Sequence, residues 1–320
     1  MIRNILYIVI PCYNEEEVLN ETIKVMKKKM HELIKKKEIS KDSKVLFVND
    51  GSSDKTWQMI KEISRKNSLF TGISLSHNRG HQNALVAGLL TAKDYADMVV
   101  SIDADLQDDI NAIDLMIEKY KNGCEIVYGV RNSRKKDSFF KRVTAESFYK
   151  IMMKMGVDIV YNHADYRLTS KRVLEEFTNY QEVNLFLRGI FPLIGFKSDI
   201  VYYERGKRFA GESKYPLKKM VALAWDGISS FSTSPIKIIV YIGLWQTLIS
   251  FIFLVIFVIL NLVNYQTLKI ESIVSLIIFL SGLQTLFIGI IGEYVGKIYF
   301  ETKKRPRFII EENLMDDGRK

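Results

Sequence analysis

The sequence predicts an α/β domain around a mostly parallel sheet, followed by two membrane-spanning helices. Three observations carry that expectation. Over the first two-thirds of the 320 residues, short apolar runs alternate with segments of helical spacing, as in chains wound back and forth over one sheet. Two uncharged apolar runs follow, 238–263 and 273–292, each long enough to cross a hydrocarbon core of about 30 Å as a helix. Basic residues, finally, crowd outside those runs. Lys214, Lys218, Lys219 and Lys237 precede the first, and Lys297, Lys303, Lys304, Arg305 and Arg307 follow the second. The connecting segment 264–272 sets only Lys269 against Glu271. That asymmetry places both termini in the cytosol and the short connection outside.

Residues 5–10 form a continuous apolar run, expected as a first buried strand. Residues 16–37 bring Val18, Ile23, Met26, Met30, Leu33 and Ile34 to one helical face. A strand at 44–48, a helix at 56–66, a strand at 71–75, a helix at 81–92, a strand at 98–102, a helix at 110–120 and a strand at 125–130 continue the alternation. Residues 131–142 are basic and polar and read as a loop, with a helix over 140–155 after it. Residues 217–228 mix Lys218 and Lys219 with Leu217, Met220, Val221, Leu223 and Ile228. That pattern suits a helix lying in the membrane interface, an amphipathic surface helix being the plainer reading. The expected domains are thus 1–212, a cytosolic α/β domain; 213–235, an amphipathic juxtamembrane segment; 236–297, two spans; and 298–320, a basic cytosolic tail.

Composition removes several function classes. A net charge of +9 suits either nucleic acid or an anionic surface, but much of the excess flanks the apolar runs. Lipid explains it, and no nucleic acid is expected. Cys12 and Cys124 are isolated thiols, and the four histidines lack ligand spacing, so neither a disulfide framework nor a zinc cluster is expected. The first residues lack the length and small-residue cleavage site of a signal peptide. No G-x-G-x-x-G or G-x-x-x-x-G-K-[ST] occurs, which disfavours dinucleotide enzymes and P-loop NTPases.

In a parallel sheet, ligands sit beyond the carboxyl ends of the strands, and the polar motifs fall there. Ser101-Ile-Asp103-Ala-Asp105-Leu-Gln107-Asp108-Asp109 follows an apolar strand. Two carboxylates two residues apart can share a hard divalent cation, which prefers oxygen ligands and neutralises a departing diphosphate. Gln107 could complete that shell or meet a sugar, and Asp108 and Asp109 read as caps of the next helix. In Val48-Asn-Asp50-Gly-Ser-Ser-Asp-Lys-Thr56, Asp50 could accept from a nucleobase imide or serve an Asx turn. Pro11-Cys-Tyr13-Asn-Glu15 offers an aromatic ring and polar groups to a base and ribose, or a plain strand-to-helix cap.

Taken in order, these motifs, with His77-Asn-Arg-Gly-His-Gln-Asn-Ala84 and Ala164-Asp-Tyr-Arg-Leu168, resemble family 2 glycosyltransferases. The similarity is greatest to the polyprenyl-phosphate branch, the bactoprenol glucosyltransferases and dolichol-phosphate mannose synthases. Arg208-Phe-Ala-Gly-Glu-Ser-Lys-Tyr215, Ser229-Ser-Phe-Ser232 and Gly292-Glu-Tyr-Val-Gly-Lys-Ile-Tyr299 look like that branch's later motifs. The resemblance implies a GT-A nucleotide-sugar-binding domain, Mg²⁺ or Mn²⁺, and inversion at the anomeric carbon. It implies that Pro11, Tyr13, Glu15 and Asp50 hold base and ribose, and that Asp103 and Asp105, with Gln107, bind metal and diphosphate. Asp165 falls where the family's D-F-R-L aspartate lies near the acceptor. Here Tyr166 replaces Phe and Ala164 replaces Gly, so a Cβ at 164 could narrow the pocket. Arg208 and Lys214 match a late basic motif facing phosphates. Arg131, Arg134, Lys135 and Lys136 either receive the acceptor phosphate or form a solvated basic loop.

The expected activity is transfer of a hexose, glucose first and N-acetylglucosamine second, from a UDP-sugar to undecaprenyl phosphate. It would occur at the cytosolic face of the cytoplasmic membrane, for cell-wall or surface-polysaccharide decoration, with the spans available for a homo-oligomer. Asp105, Asp165 and Arg208 are its expected catalytic residues. Asp165 is read as orienting the acceptor or donor in preference to removing a proton, with a structural salt bridge to Arg167 as the plain alternative. A lipid monophosphate already carries close to two negative charges near neutral pH. A catalytically silent membrane scaffold, or a subunit of a lipid-sugar flippase, is the alternative from another class. Its weakness is the intact acidic pair and the poor transport path two spans would make. A processive synthase would need a Gln-x-x-Arg-Trp-type motif, which does not occur.

Overall fold

The computed structural model describes residues 3–132, 163–182, 186–206, 235–243, 245–246, 248–249, 252 and 270–315. Its centre is β1 (Leu6–Cys12), whose residues are all buried. The run is continuous rather than alternating because helices cover both faces of the strand. β2 (Lys44–Asn49) and β4 (Met98–Ser101) flank it in parallel, and β3 (Phe70–Leu75) extends the sheet beyond β2. On the other side β6 (His163–Ser170) runs antiparallel between β4 and β5 (Ile126–Arg131), and β7 (Ser198–Tyr203) pairs in parallel with β5. With β8 (Ile310–Asn313) at the far edge, the order is β7-β5-β6-β4-β1-β2-β3-β8. The chain steps outward from β1 to β3 and then crosses back to β4, so the strand order reverses between β1 and β4. The carboxyl ends of those two strands therefore flank the crevice where ligands bind in such sheets.

Each face has its own core. α1 (Glu16–Lys35), α2 (Thr56–Lys66) and α4 (Ala112–Lys121) bury Leu19, Met26, Ile60 and Ile113 against Ile8, Ile10 and Phe47. α3 (His81–Ala92), α5 (Lys171–Phe177) and α6 (Leu187–Ile194) close the opposite face with Leu85, Phe177 and Phe191. α3 lies very close to the sheet. A Cβ on Gly88 would stand 2.4 Å from Val9 Cγ1 and 2.6 Å from Val48 Cγ2, so glycine sets the depth at which the helix delivers His81 to the crevice.

The expected strands and helices of the first 131 residues recur with boundaries within two residues, those at 56–66 and 81–92 without any shift. β6, α5, α6, β7 and β8 lie beyond the elements expected from sequence. β6 reads HADYRLTS and β8 (Ile310–Asn313) reads IEEN, and neither has the apolar run that marks a buried strand.

β8 also corrects the reading of 298–320 as only a basic tail. It pairs antiparallel with β3, and Glu312 accepts from the Trp57 indole at 3.1 Å and pairs with Lys61. The last part of the chain thus completes the sheet begun by the first, covering an edge that would otherwise be open to pairing.

α7 (Ile270–Thr302) has 33 residues and contains the second apolar run. Residues 270–272, 274, 275, 278 and 279 in it have side chains outside the described set, as do most residues of the first run. Among the described residues no helix is long and apolar enough to cross a membrane. The expected helices over 140–155 and 217–228 also lie outside the described residues.

Candidate functional site

The loops beyond β1, β2 and β3 are built on one another. Asn14 adopts a left-handed φ of 52°; its N–H donates to Ser52 Oγ and its side-chain oxygen accepts from the Ser53 N–H. The Glu15 N–H donates to Thr56 Oγ1 at 2.9 Å. Pro11 is buried in β1, whereas the Tyr13 ring is exposed at the rim. Gly51 has φ +61°, and a Cβ there would meet the His77 and Asn78 backbone at 2.6 Å. Only glycine lets these two turns touch.

Asp50 is 2% exposed. One of its oxygens accepts the Arg79 N–H at 2.7 Å and the other the Gly80 N–H at 3.0 Å. Burial raises its pKa, and those two N–H groups together with His81 and His77 oppose the rise. The Asp50 carboxylate thus holds the 77–81 loop that borders the crevice.

The acidic pair lies in the loop just beyond β4. Asp103 is half-exposed, and Asp105 accepts from the Gln107 N–H at 3.1 Å. Leu106 between them has a left-handed φ of 54°. Antiparallel β6 pairs Ser101 with Arg167. Asp103 lies two residues after Ser101 and Asp165 two before Arg167, so both fall at this end of the ladder. Ser101 Oγ donates to the Asp165 carbonyl at 2.5 Å, which fixes this junction. His81, the first residue of α3, stands between them, with Nε2 3.6 Å from Asp103 and 4.0 Å from Asp165.

The Asp165 carboxylate is strongly held. Arg167 reaches it at 2.8 Å and Arg188, on α6, at 3.2 Å. Burial alone would raise the Asp165 pKa, but Arg188, Arg167 and His81 overcome it and keep the group ionised well below the usual carboxylate range. Arg167 is wholly buried, donates to the Leu187 carbonyl and lies over the Phe191 ring at 4.3 Å. The Leu187 N–H in turn donates to Gln82 Oε1, so the first turns of α3 and α6 are tied together behind the site. Ala164 is buried in the core under α4, which is where its methyl packs.

Asp108 is not a cap. It is 4% exposed, accepts the Tyr203 hydroxyl at 2.6 Å and lies 3.7 Å from Arg131. Burial and the nearby Asp103 charge push its pKa up to about 6, against the pull of Arg131 and Tyr203. Arg131, expected to await a phosphate, ends β5 with Nε donating to Tyr203 Oη and its guanidinium beside Asp108. Asp109 does accept the Asn111 N–H ahead of α4. Arg134, Lys135, Lys136, Arg208 and Lys214 lie outside the described residues.

The sequence reading passes over Arg188, Tyr203 and any role for His81. A signal for Arg188 exists: it is the one charged residue between Glu182 and Lys197, and a lone charge in an apolar run needs a buried partner. Nothing local marks Tyr203, whose partners are 95 and 72 residues away. Among the described residues no group of three or more His, Cys, Asp and Glu side chains is arranged to hold a metal ion by itself. The two carboxylates beyond β4 suit a cation that keeps waters and substrate oxygens in its remaining positions.

Residues 7–178 match the profile of Glycosyl transferase family 2. The uncharacterized glycosyltransferase YkoT of Bacillus subtilis is 51% identical over 98% of this chain and 93% of its own length. A prophage bactoprenol glucosyl transferase homolog of Escherichia coli is 38% identical over 95% of this chain and 97% of its own. The bactoprenol glucosyl transferase of Shigella phage SfV is 39% identical over the same shares.

Proposed function

The chain belongs to glycosyl transferase family 2, and from that membership we propose that it transfers a hexose from a UDP-sugar to a polyprenyl phosphate at the cytosolic face of a membrane. Similarity to bactoprenol glucosyl transferases over nearly the full length of both chains favours this acceptor and makes glucose the first sugar to test. A silent scaffold or flippase subunit is not favoured beside these relatives. The observation that carries the reading is His81 Nε2, 3.6 Å from the half-exposed Asp103 and 4.0 Å from the arginine-held Asp165, which puts both carboxylates at the end of the β4–β6 ladder.

Asp103 and Asp105 would hold Mg²⁺ or Mn²⁺, which supplies charge neutralisation to the diphosphate leaving group. Tyr13 and Glu15, on the rim beyond β1, border the space for base and ribose. An acceptor phosphate oxygen attacks the anomeric carbon from the face opposite the diphosphate. The new C–O bond forms as the bond to UDP breaks, inverting the centre and releasing UDP.

No proton has to leave the acceptor, because a phosphomonoester is already largely dianionic near neutral pH. Asp165 is poorly matched to proton removal in any case. A general base works best with a pKa near the working pH, and this carboxylate is held far below it. Its part is to fix Arg188 and Arg167, so that positioning and charge lower the barrier.

Membrane attachment belongs to the same proposal. The two uncharged runs would cross the bilayer, and the return of β8 to the sheet fits an even number of crossings with the catalytic domain on one side. Self-association through the apolar helices has no support among the described residues. Purified protein should be incubated with a polyprenyl phosphate, Mg²⁺ or Mn²⁺ and a panel of nucleotide-sugars. The expected product is a lipid-linked hexose from UDP-glucose, or next from UDP-N-acetylglucosamine. Transfer only to a non-lipid acceptor would overturn the reading.

A further inference from the structure

Three consecutive residues just after the acidic pair, Gln107 to Asp109, are each pinned from outside their own loop. The Gln107 carbonyl accepts the Gly206 N–H at 2.7 Å. The Asp108 carboxylate accepts the Tyr203 hydroxyl at 2.6 Å. The Asp109 carbonyl accepts the Tyr166 hydroxyl at 2.9 Å. The two tyrosine rings meet edge to face, with centroids 5.3 Å apart. What these pins hold is unfavourable by itself: Leu106 sits at φ 54°, a conformation that costs a γ-branched side chain energy and persists only where the surroundings over-determine it. The turn at Leu106 is also what brings the Gln107 N–H onto Asp105 Oδ1.

We propose that Tyr203 and Tyr166 are positioning residues for the acidic pair. Acting through Asp108 and the Asp109 carbonyl, they hold the left-handed Leu106 turn that aims Asp105 into the crevice beside Asp103. The Tyr166 hydroxyl makes a contact that phenylalanine could not, so this chain gains a pin at a position where the motif it resembles carries Phe. Tyr203 closes β7 onto the loop, and Arg131 from β5 braces the same carboxylate. The sheet edge thereby sets the geometry of a site three strands away.

The inference rests on the reading that Asp103 and Asp105 engage a cation and a diphosphate, and calorimetric binding of UDP with Mn²⁺ to the full-length protein tests the two separately. Wild-type binding should require Mn²⁺ and disappear in Asp103→Ala; UDP binding equally well in EDTA would end both the cation reading and this inference. With that requirement met, Tyr203→Phe should weaken Mn²⁺-dependent UDP binding about tenfold and Tyr166→Phe about threefold, as expected when a positioning contact is lost and the ligand's own contacts remain. Adding Leu106→Gly to Tyr203→Phe should restore most of the affinity, since glycine takes positive φ without steric cost. A tyrosine that merely stabilises the fold would not be rescued by a glycine in a distant turn. Unchanged affinity in Tyr203→Phe, or failure of Leu106→Gly to restore it, overturns the proposal. Should Tyr203→Phe not fold, Tyr166→Phe with the same rescue decides.

Discussion

Two carboxylates flank His81 at the end of the β4–β6 ladder and have opposite surroundings. Asp103, two residues beyond β4, is half-exposed, with His81 3.6 Å away. Asp165 on β6 has 15% of its side chain exposed and is held by two guanidiniums at 2.8 and 3.2 Å. The first has charge left for a ligand that arrives from solution. The second spends its charge inside the protein, neutralising a wholly buried arginine. Proximity to a crevice therefore does not make a carboxylate a base; what else it touches decides its chemistry.

The largest effect should come from the exposed side. Asp103→Ala or Asp105→Ala should lower transfer by about a thousandfold or more, the scale of losing a principal electrostatic stabiliser of the transition state. Asp103→Ala should leave the protein folded, because that carboxylate is half-exposed. Excess EDTA should reproduce the loss reversibly in wild type. Product formation at wild-type rate in either variant would erase the contrast.

Asp165 should behave in the opposite sense. Removing one partner of a buried pair typically costs about 3–5 kcal/mol, and Asp165→Asn leaves Arg167 without its countercharge. Thermal unfolding should reveal that loss at neutral pH, while single-turnover assays below the melting range still detect transfer. The folded-state pKa of Asp165 is depressed, so its stabilisation is fully present above the unfolded value of about 3.9 and fades as pH falls toward the folded one. The difference between wild type and Asp165→Asn should stay constant from about pH 6 to 8 and shrink below about pH 4. A difference that grew on acidification would contradict the ion-pair account.

The rate profile sharpens the comparison further. With no base at Asp165, the acid limb of transfer should follow the second ionisation of the acceptor phosphate, near pH ~6. Wild type and Asp165→Asn should share it. An acid limb present only in wild type, with chemistry slowed more than about a thousandfold in the variant, would restore Asp165 as a base.

How much of this was legible in the sequence follows the range of the interactions. The strands and helices up to Arg131 announce themselves because each buries its own apolar run, and the acidic pair stands out because both members lie in one motif. Asp165 and the alternative of its ion pair with Arg167 were legible too, being two residues apart. The second guanidinium, from Arg188, was not, because it comes from another helix. The partners of Asp50 and Asp108 were hidden for the same reason. They are Arg79 and Gly80 in one case and Tyr203 and Arg131 in the other, and no local spacing encodes contacts between separate loops. β8 escaped notice because it is an edge strand, charged and short, whose pairing partner lies more than two hundred residues earlier.

The smallest expected effect uses a third carboxylate, which separates the influence of partners from that of burial. Glu312 on β8 has partners as Asp165 does, accepting from Trp57 and pairing with Lys61, yet 43% of its side chain is exposed. Its pKa is lowered by the Lys61 and Trp57 hydrogen bonds, the same direction as for Asp165. If partners alone set the energetic weight of a carboxylate, Glu312→Gln would destabilise the protein about as much as Asp165→Asn. Solvent screening argues otherwise: exposed pairs contribute about 0.2–1 kcal/mol, and the amide retains an oxygen for the Trp57 N–H. Glu312→Gln should therefore lower the melting temperature by only a degree or two, roughly what such an energy does in a domain of 150–250 residues, and leave transfer unaltered. Added salt should reduce even that difference, because exposed charges are screened within about 10 Å at 0.1 M, while the Asp165→Asn effect should persist. A loss at Glu312 as large and as salt-resistant as that at Asp165 would mean that burial has been overweighted throughout this comparison.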